Sequence, residues 1–289
     1  MGRPVPSGGR LRVVTINTGK CDGPYRARLS ALLAGLGALD ADVILAQEAF
    51  ETIEGSASVA FSTPQFSTPQ FLATGLGMHL ASFRLREKPR EVEGVAVDSY
   101  SGLATLSRWP LSDVKPRALS DDPDDGDRGV LFAAVETPVG VMRTANTHLT
   151  HLRHRDDLRV QQAREIVDDP WWHGSARLRL LGGDLNARPE HEVHTVLRGA
   201  DGEANWANGA RWRGLDSFEV AGDLSAAPTI RRETSGGVVE ARLDYLYLLR
   251  GQGDDAAVEV SHARVVLDEP LGGVLPSDHF GVLAELTLA

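Results

Sequence analysis

The chain has a single cysteine, Cys21, among its 289 residues, so it cannot form an internal disulfide or build the clustered thiolates of a soft-metal site. A chain this long needs no such staples, because folding can bury roughly three quarters of the surface its unfolded form exposes. Long apolar runs are also missing. Nothing approaches the ~18 apolar residues of a membrane span, and Met1 to Arg10 lacks the apolar core of a signal peptide. Together these absences lead us to expect a cytoplasmic protein with no integral membrane association. Basic residues are in deficit: 30 Lys and Arg stand against 40 Asp and Glu, for a formal net charge of -10. Affinity for duplex DNA comes largely from neutralised phosphates and usually shows as a basic face, so this balance argues against a nonspecific nuclease. The zinc spacing H-E-x-x-H is absent as well. The run His148, His151, His154 has a superficial look of zinc, but only His148 falls at a predicted strand end, and we expect His151 and His154 to be solvated.

What is present is ordinary for a globular domain, with 42% apolar and 24% charged residues. Short apolar, β-branched runs read as strands over 11–16, 42–46, 102–106, 130–136, 141–147, 178–181, 243–249, 258–267 and 280–288. Helical spacing appears over 24–39 and 155–167, and 189–197 suits a helix with Pro189 in its first turn. Strands outnumber helices, and the helices fall between strand groups. The fold class expected is α/β (α+β), a four-layer sandwich of two packed mixed β-sheets flanked by helices. We expect one domain over 1–289, with its core at about 11–288. The acidic stretch Asp121 to Arg128 (DDPDDGDR) reads as a solvated loop rather than a metal site, since its carboxylates share one flexible segment. The pentapeptide FSTPQ occurs twice in succession, at 61–65 and 66–70. Its second copy offers Ser67 or Thr68 as a helix cap, with Pro69 in the first turn.

Polar residues recur where the apolar strands end: Asn17, Gln47-Glu48, Asn146-Thr147-His148, Gly183-Asp184-Leu185-Asn186, Asp244 and Ser277-Asp278-His279. If those ends converge, they form a cleft holding several carboxylates, two histidines and amides. Phosphoester hydrolysis needs such a set: a cation to offset charge on the phosphorane-like transition state, an activated water and a stabilised leaving group. Magnesium takes oxygen ligands and keeps several waters, so one or two carboxylates suffice to hold it. Taken singly, each residue has a duller reading. Asn17, Asp184 and Asn186 suit turns, Glu48 suits a surface, and His279 suits a satisfied interior position. Asp244, in an apolar strand, is harder to dismiss, because a buried carboxylate needs a partner.

The ordered runs T-I-N-T-G, L-A-Q-E, S-G-L-A-T-L-S-R-W-P, N-T-H-L, G-G-D-L-N-A-R-P, R-L-D-Y-L and P-S-D-H-F, from residue 15 to 280, resemble the signature of the endonuclease/exonuclease/phosphatase family. The resemblance implies the fold of pancreatic deoxyribonuclease and a Mg2+-dependent hydrolase of phosphoesters, with Mn2+ as a substitute. It implies Glu48 as the principal metal ligand with Asn17 beside it, and Asp278 close to the metal. Asp184 would orient or deprotonate the attacking water, and Asn186 would hold the phosphate. His279 would contact the scissile phosphate with Asp244 as its carboxylate partner. His148 would donate to a phosphate oxygen or to the leaving group, and Arg108 would contact substrate phosphate. A histidine at position 148 resembles the branch with deoxyribonuclease, sphingomyelinases, deadenylases and small phosphatases rather than the abasic-site endonucleases. Substrate clues are thinner. Arg153, Arg155, Arg159 and Arg164 form either a phosphate-facing patch or a solvated helix face. Trp171-Trp172, Trp206 and Trp212 either stack on a base, meet lipid or anchor loops. From the acidic balance, a small-molecule or lipid-derived phosphoester is the favoured substrate of an expected monomer. Nucleic acid is the alternative, and a catalytically silent scaffold is the reading from another class.

Overall fold

The structure, a computed structural model, describes residues 9–53, 66–199, 204–205, 211–222, 228–251 and 258–288. The run RLRVVTIN forms strand β1 (Arg10–Asn17), buried on both faces from Val13 onward. That is the environment of a strand at the middle of a sandwich. The chain continues through α1 (Tyr25–Leu39), β2 (Val43–Thr52), α2 (Thr68–Leu76), β3 (His79–Val92), β4 (Val95–Ser107) and β5 (Leu111–Ala118). Next come β6 (Gly129–Thr137), β7 (Gly140–His148), α3 (Asp156–Val167), β8 (Leu178–Asp184), α4 (Glu192–Arg198), β9 (Ala204–Asn205) and β10 (Arg211–Asp216). The last elements are α5 (Ser217–Val220), β11 (Ile230–Thr234), β12 (Gly237–Ala241), β13 (Asp244–Gly251), β14 (Val258–Val266) and β15 (Gly281–Leu288).

The strands make two mixed sheets, one six-stranded in the order β14-β15-β1-β2-β4-β3 and one seven-stranded in the order β5-β6-β7-β8-β13-β10-β9, with β11 and β12 as a separate hairpin. Leu11, Val13, Val43 and Leu45 of the first sheet pack with Leu178, Leu180, Leu246 and Leu248 of the second, forming the core between them. The outer face of the first sheet is covered by α1 and α2, and that of the second by α3, α4 and the turn carrying Trp171 and Trp172. The result is the four-layer α/β sandwich expected. Among the described residues no helix is long and apolar enough to cross a membrane.

Two parallel pairings place the polar strand ends. β1 runs parallel to β2 with Asn17 opposite Gln47, and β7 runs parallel to β8 with His148 opposite Asp184. Antiparallel β13 then sets Asp244 opposite Asp184. Below these ends the sheets are tied by a buried polar contact. Gln47 donates from Nε2 to Asn146 Oδ1 at 2.7 Å, and Asn146 donates from Nδ2 to the carbonyls of Ala46 and Ala104, each at 3.0 Å.

Several boundaries differ from those read in the sequence. The helix expected over 189–197 begins only at Glu192, where the His191 side chain accepts the Val193 N–H as a cap; Pro189 lies in the preceding turn. Strands β3 and β5 escape a search for apolar runs because charged residues interrupt them and most of their positions are half-buried or exposed. In the second FSTPQ copy, Ser67 caps α2 by accepting from Gln70 N, with Pro69 in the first turn; the first copy lies outside the described residues. The acidic stretch is not wholly solvated. Asp125 is buried, because Arg128 donates to both of its carboxylate oxygens at 2.8 and 2.6 Å.

Candidate active site

β2 does not stop at Glu48. Its pairing with β4 is interrupted between Ala46 and Ala49, and Glu48 sits in that bulge at φ 52°. A non-glycine residue is held in the left-handed region only when its surroundings impose it, and such outliers gather at functional sites. The bulge turns the Glu48 carboxylate out of the ladder and into a cavity of about 310 Å³ at the strand ends. Of the sequence-predicted residues, Asn17, Glu48, His148, Asp184, Asn186, Asp278 and His279 all line this cavity.

Asp184 lies at its floor, buried. Its Oδ2 accepts from Asn17 Nδ2 at 3.0 Å and its Oδ1 from the Asn186 backbone N–H at 2.9 Å. His148 Nε2 is 3.3 Å from Asp184 Oδ2. Burial, and after it the charge of Asp244, raises the Asp184 carboxyl to about 6. Asn186, at φ 48°, donates from Nδ2 to the Leu149 carbonyl at 3.0 Å. Behind Asp184, His279 Nδ1 and Asp244 Oδ2 share a hydrogen bond of 2.9 Å in a buried setting. Burial alone would keep the His279 ring neutral. The carboxylates of Asp244 and Asp184 outweigh it and raise the ring to about 10, so the imidazolium persists. For His148 the balance is the reverse: burial, and after it the charge of Arg128, holds it well below its ordinary value. Asp278 is half-exposed at the cavity rim, and against partial desolvation the charges of His279, Arg232 and Arg28 hold it below its ordinary value.

Two groups of side chains could hold a metal. Asp184, Asp244 and His279 offer ligand atoms all within 4.8 Å of one another, and two of these residues, His279 and Asp244, are already hydrogen-bonded to each other. Asn17, Glu48 and Asp278 line the same cavity and carry oxygen donors, the type a hard cation such as magnesium takes, with Glu48 Oε1 2.6 Å from Lys20 Nζ and Asp278 Oδ2 2.9 Å from Arg232 Nη2.

Sequence reading missed part of this site. Thr229 Oγ1 accepts the backbone N–H of Leu243 at 2.9 Å and of Asp244 at 3.1 Å, fixing the start of β13. Lys20 Nζ lies 2.6 Å from Glu48 Oε1. Arg128 and His151 line the cavity and are joined through Asp125, with Arg128 Nη2 2.8 Å from His151 Nδ1. His151 is solvated as expected, with its side chain 53% exposed, and it lines the cavity as well. Arg128 follows an acidic run directly before a strand, a signal the sequence did contain. Arg108 is a correction of the opposite kind. It sits past the far end of β4 and is bound to Asp40 at 2.6 Å and Asp42 at 2.9 Å, away from the cavity. None of the arginines after His148 lines the cavity: Arg155 pairs with Asp122 and Asp157, Arg159 is buried against the Thr150 carbonyl and Asp156, Arg164 pairs with Glu192, and Arg153 is exposed elsewhere. Trp171, Trp172 and Trp212 are buried anchors, and Trp206 lies outside the described residues.

The model of the Endonuclease/Exonuclease/phosphatase family matches residues 14–279. No curated protein matches the sequence. Solved structures with a similar fold include an endonuclease/exonuclease/phosphatase from Beutenbergia cavernae DSM 12333, 22% identical, with a TM-score of 0.66 over 97% of this chain and 72% of that one. A family protein from Leptotrichia buccalis C-1013-b is 14% identical, with a TM-score of 0.68 over 96% and 99% of the two chains. TDP2 of D. rerio, complexed with single strand DNA product, is 17% identical, with a TM-score of 0.66 over 96% and 99%.

Proposed function

The chain belongs to the endonuclease/exonuclease/phosphatase family and is a metal-dependent phosphoester hydrolase; from that premise we propose that it uses Mg2+, held by Asn17, Glu48 and Asp278, to hydrolyse a small or lipid-derived phosphoester. The observation that carries this reading is the convergence, in one cavity, of the oxygen donors Asn17, Glu48, Asp184 and Asp278 with His279, whose ring is hydrogen-bonded to Asp244. Bound magnesium, which Mn2+ can replace, would offset negative charge on the phosphorane-like transition state. Asp184 orients and deprotonates the attacking water, a role suited to a carboxyl raised to about 6. His279 steadies the phosphate oxygens as an imidazolium, and Asp244 fixes its tautomer. Asn186 holds the phosphate. His148, neutral, donates a ring hydrogen bond to a phosphate oxygen or to the leaving group. The proposal treats 1–289 as one domain, supported by a site that draws on both sheets. It also takes the working form to be a monomer in the cytoplasm, where the buried thiol of Cys21 would stay reduced. A nuclease acting on single strands is the second reading, favoured by the likeness to a TDP2 complexed with single strand DNA product.

The test is a hydrolysis screen across nucleic acids, phosphomonoesters, phospholipids and inositol phosphates, run in magnesium and in chelator, with calorimetry of metal binding. Activity should need magnesium or manganese and vanish in chelator. Glu48→Gln should weaken metal binding while leaving the melting temperature in chelator nearly unchanged. Full activity in chelator, with no metal found by elemental analysis, would sink the assignment.

A further inference from the structure

Strand β3 carries Arg84, Arg86, Lys88 and Arg90 at alternate positions, which in a regular strand would place all four on one face. The register shows otherwise. Arg84 pairs opposite Gly102 and Arg86 opposite Ser101, with a bulge between them at Leu85. The bulge divides the set. Arg84 stays on the far face, bound to Glu51 and lying over the Tyr100 ring. Arg86, Lys88 and Arg90 turn to the face they share with Ser101, Ser99 and Val97. Ser101 and Arg86 both line the catalytic cavity, so this row of cations leads out of it. Successive members stand roughly 6.8 Å apart along the strand.

The charge on this face is not balanced. Among the described residues neither Arg86 nor Lys88 makes an ion pair. Arg90 spends its hydrogen bonds on Ser99 and Ser101, the latter at 3.0 Å, and so anchors the face without losing its charge. Of the carboxylates lining the cavity, Glu48 is engaged by Lys20, Asp125 by Arg128, Asp278 by Arg232 and Asp184 by Asn17 and His148, leaving Asp22 and Asp127. The Lys88 ammonium is held below its ordinary value, with the Arg86 charge as the leading cause. In a chain of net charge -10, evolution or chance has gathered these cations where a bulge presents them to the cleft.

We propose that Arg86 and Lys88, backed by Arg90, form a second anion site that binds a phosphate of the substrate other than the scissile one. The inference rests on the preceding assignment of the cavity as the place of hydrolysis, and it narrows the substrate to compounds bearing at least two phosphates. Single-stranded oligonucleotides and polyphosphorylated small molecules share that chemistry, and separate probes distinguish them.

Binding of fluorescein-labelled hexathymidylate and of inositol hexakisphosphate is measured on the full chain in chelator, by anisotropy and calorimetry, so the reading does not depend on catalysis. The wild type should bind at least one of them, and whichever binds names the source. The double variant R86Q/K88Q should bind it at least tenfold more weakly. If the probe is the oligonucleotide, the dependence of log affinity on log salt should flatten by roughly 1.4, the share of two contacts to a single strand. The charge-preserving R86K/K88R should recover most of the loss. Should R86Q/K88Q melt early, the exposed Lys88→Glu alone serves the same purpose. In magnesium, the loss in kcat/KM should be at least tenfold larger on a multi-phosphate substrate than on bis(4-nitrophenyl) phosphate, which carries one phosphate. Neither probe binding at low salt, or R86Q/K88Q binding as tightly as wild type, would overturn the proposal. Intact, charge-dependent binding with no hydrolysis of any substrate would instead indict the hydrolase assignment.

Discussion

Asp244 shows how much one side chain can depend on its neighbours. It is fully buried, and one carboxylate oxygen, Oδ1, has no hydrogen-bond partner, so the hydrogen bond with His279 Nδ1 is the chief polar contact of its side chain. The same pairing raises His279 to about 10. A ring whose folded value is raised lends stability that is complete below its unfolded pKa of about 6.5 and is lost as pH climbs to about 10. In chelator, the melting temperature should therefore fall across that window, and Asp244→Asn should flatten the fall. The same substitution should lower turnover by roughly 10² or more, since it keeps size but removes the charge that sets the ring's proton and tautomer. His279→Ala should be at least as harmful. The two losses should not add, because both residues serve one catalytic unit. A double-mutant cycle on turnover checks this, and fully additive losses would show that the pair is not catalytic. Asp244 was legible in the sequence because a carboxylate in an apolar strand demands a partner. Thr229, which fixes its backbone, was not, because nothing in a threonine 15 residues upstream signals that contact.

At the level of elements, the site depends on places where strands depart from regularity. The bulge at Glu48 aims a carboxylate, and the bulge at Leu85 aims a guanidinium. Neither was legible, because a bulge adds one residue to one strand and shows only against its partner. Gly183, by contrast, was visible as part of G-G-D-L-N, though not for its physical reason. It sits at φ 153°, and a Cβ there would lie 1.9 Å from the Thr147 carbonyl oxygen of the neighbouring strand β7. Gly183→Ala must push β8 from β7 next to Asp184. It should cost at least about 2 kcal/mol, as overpacked cores do, and lower activity beyond the share explained by unfolding. Denaturant melts with activity measured well below the midpoint would test this. A stable, fully active variant would show that the strands can part freely.

For the molecule as a whole, charge sets the expectation. With a net charge of -10, duplex DNA should bind weakly at physiological salt, because few phosphates can be neutralised over a wide face. Anisotropy titration of a labelled duplex at two salt concentrations measures it. A tight complex that survives raised salt would restore a nuclease specific for duplex DNA. The cavity itself is assembled from distant parts of the chain: Asn17 and Asp184 share a hydrogen bond across 167 residues, and the Ser277 hydroxyl donates to the Asn17 carbonyl across 260. The first of these forms only when both sheets have packed.

The sequence by itself determined the alternation of strands and helices, hence the layered sandwich, because burial periodicity is local. It also determined the order of polar residues at strand ends, and with it the family. Tertiary structure decided which of those residues meet. It brought His148, Asp184 and His279 together, dismissed Arg108 to the far end of its sheet, and recruited Lys20, Arg128 and His151. The reason is physical. Strand periodicity says which face a residue takes, but bulges, sheet packing and competing ion pairs say what it faces. Asp40 and Asp42 claim Arg108 at one end of the sandwich, while no carboxylate among the described residues claims Arg86 at the other.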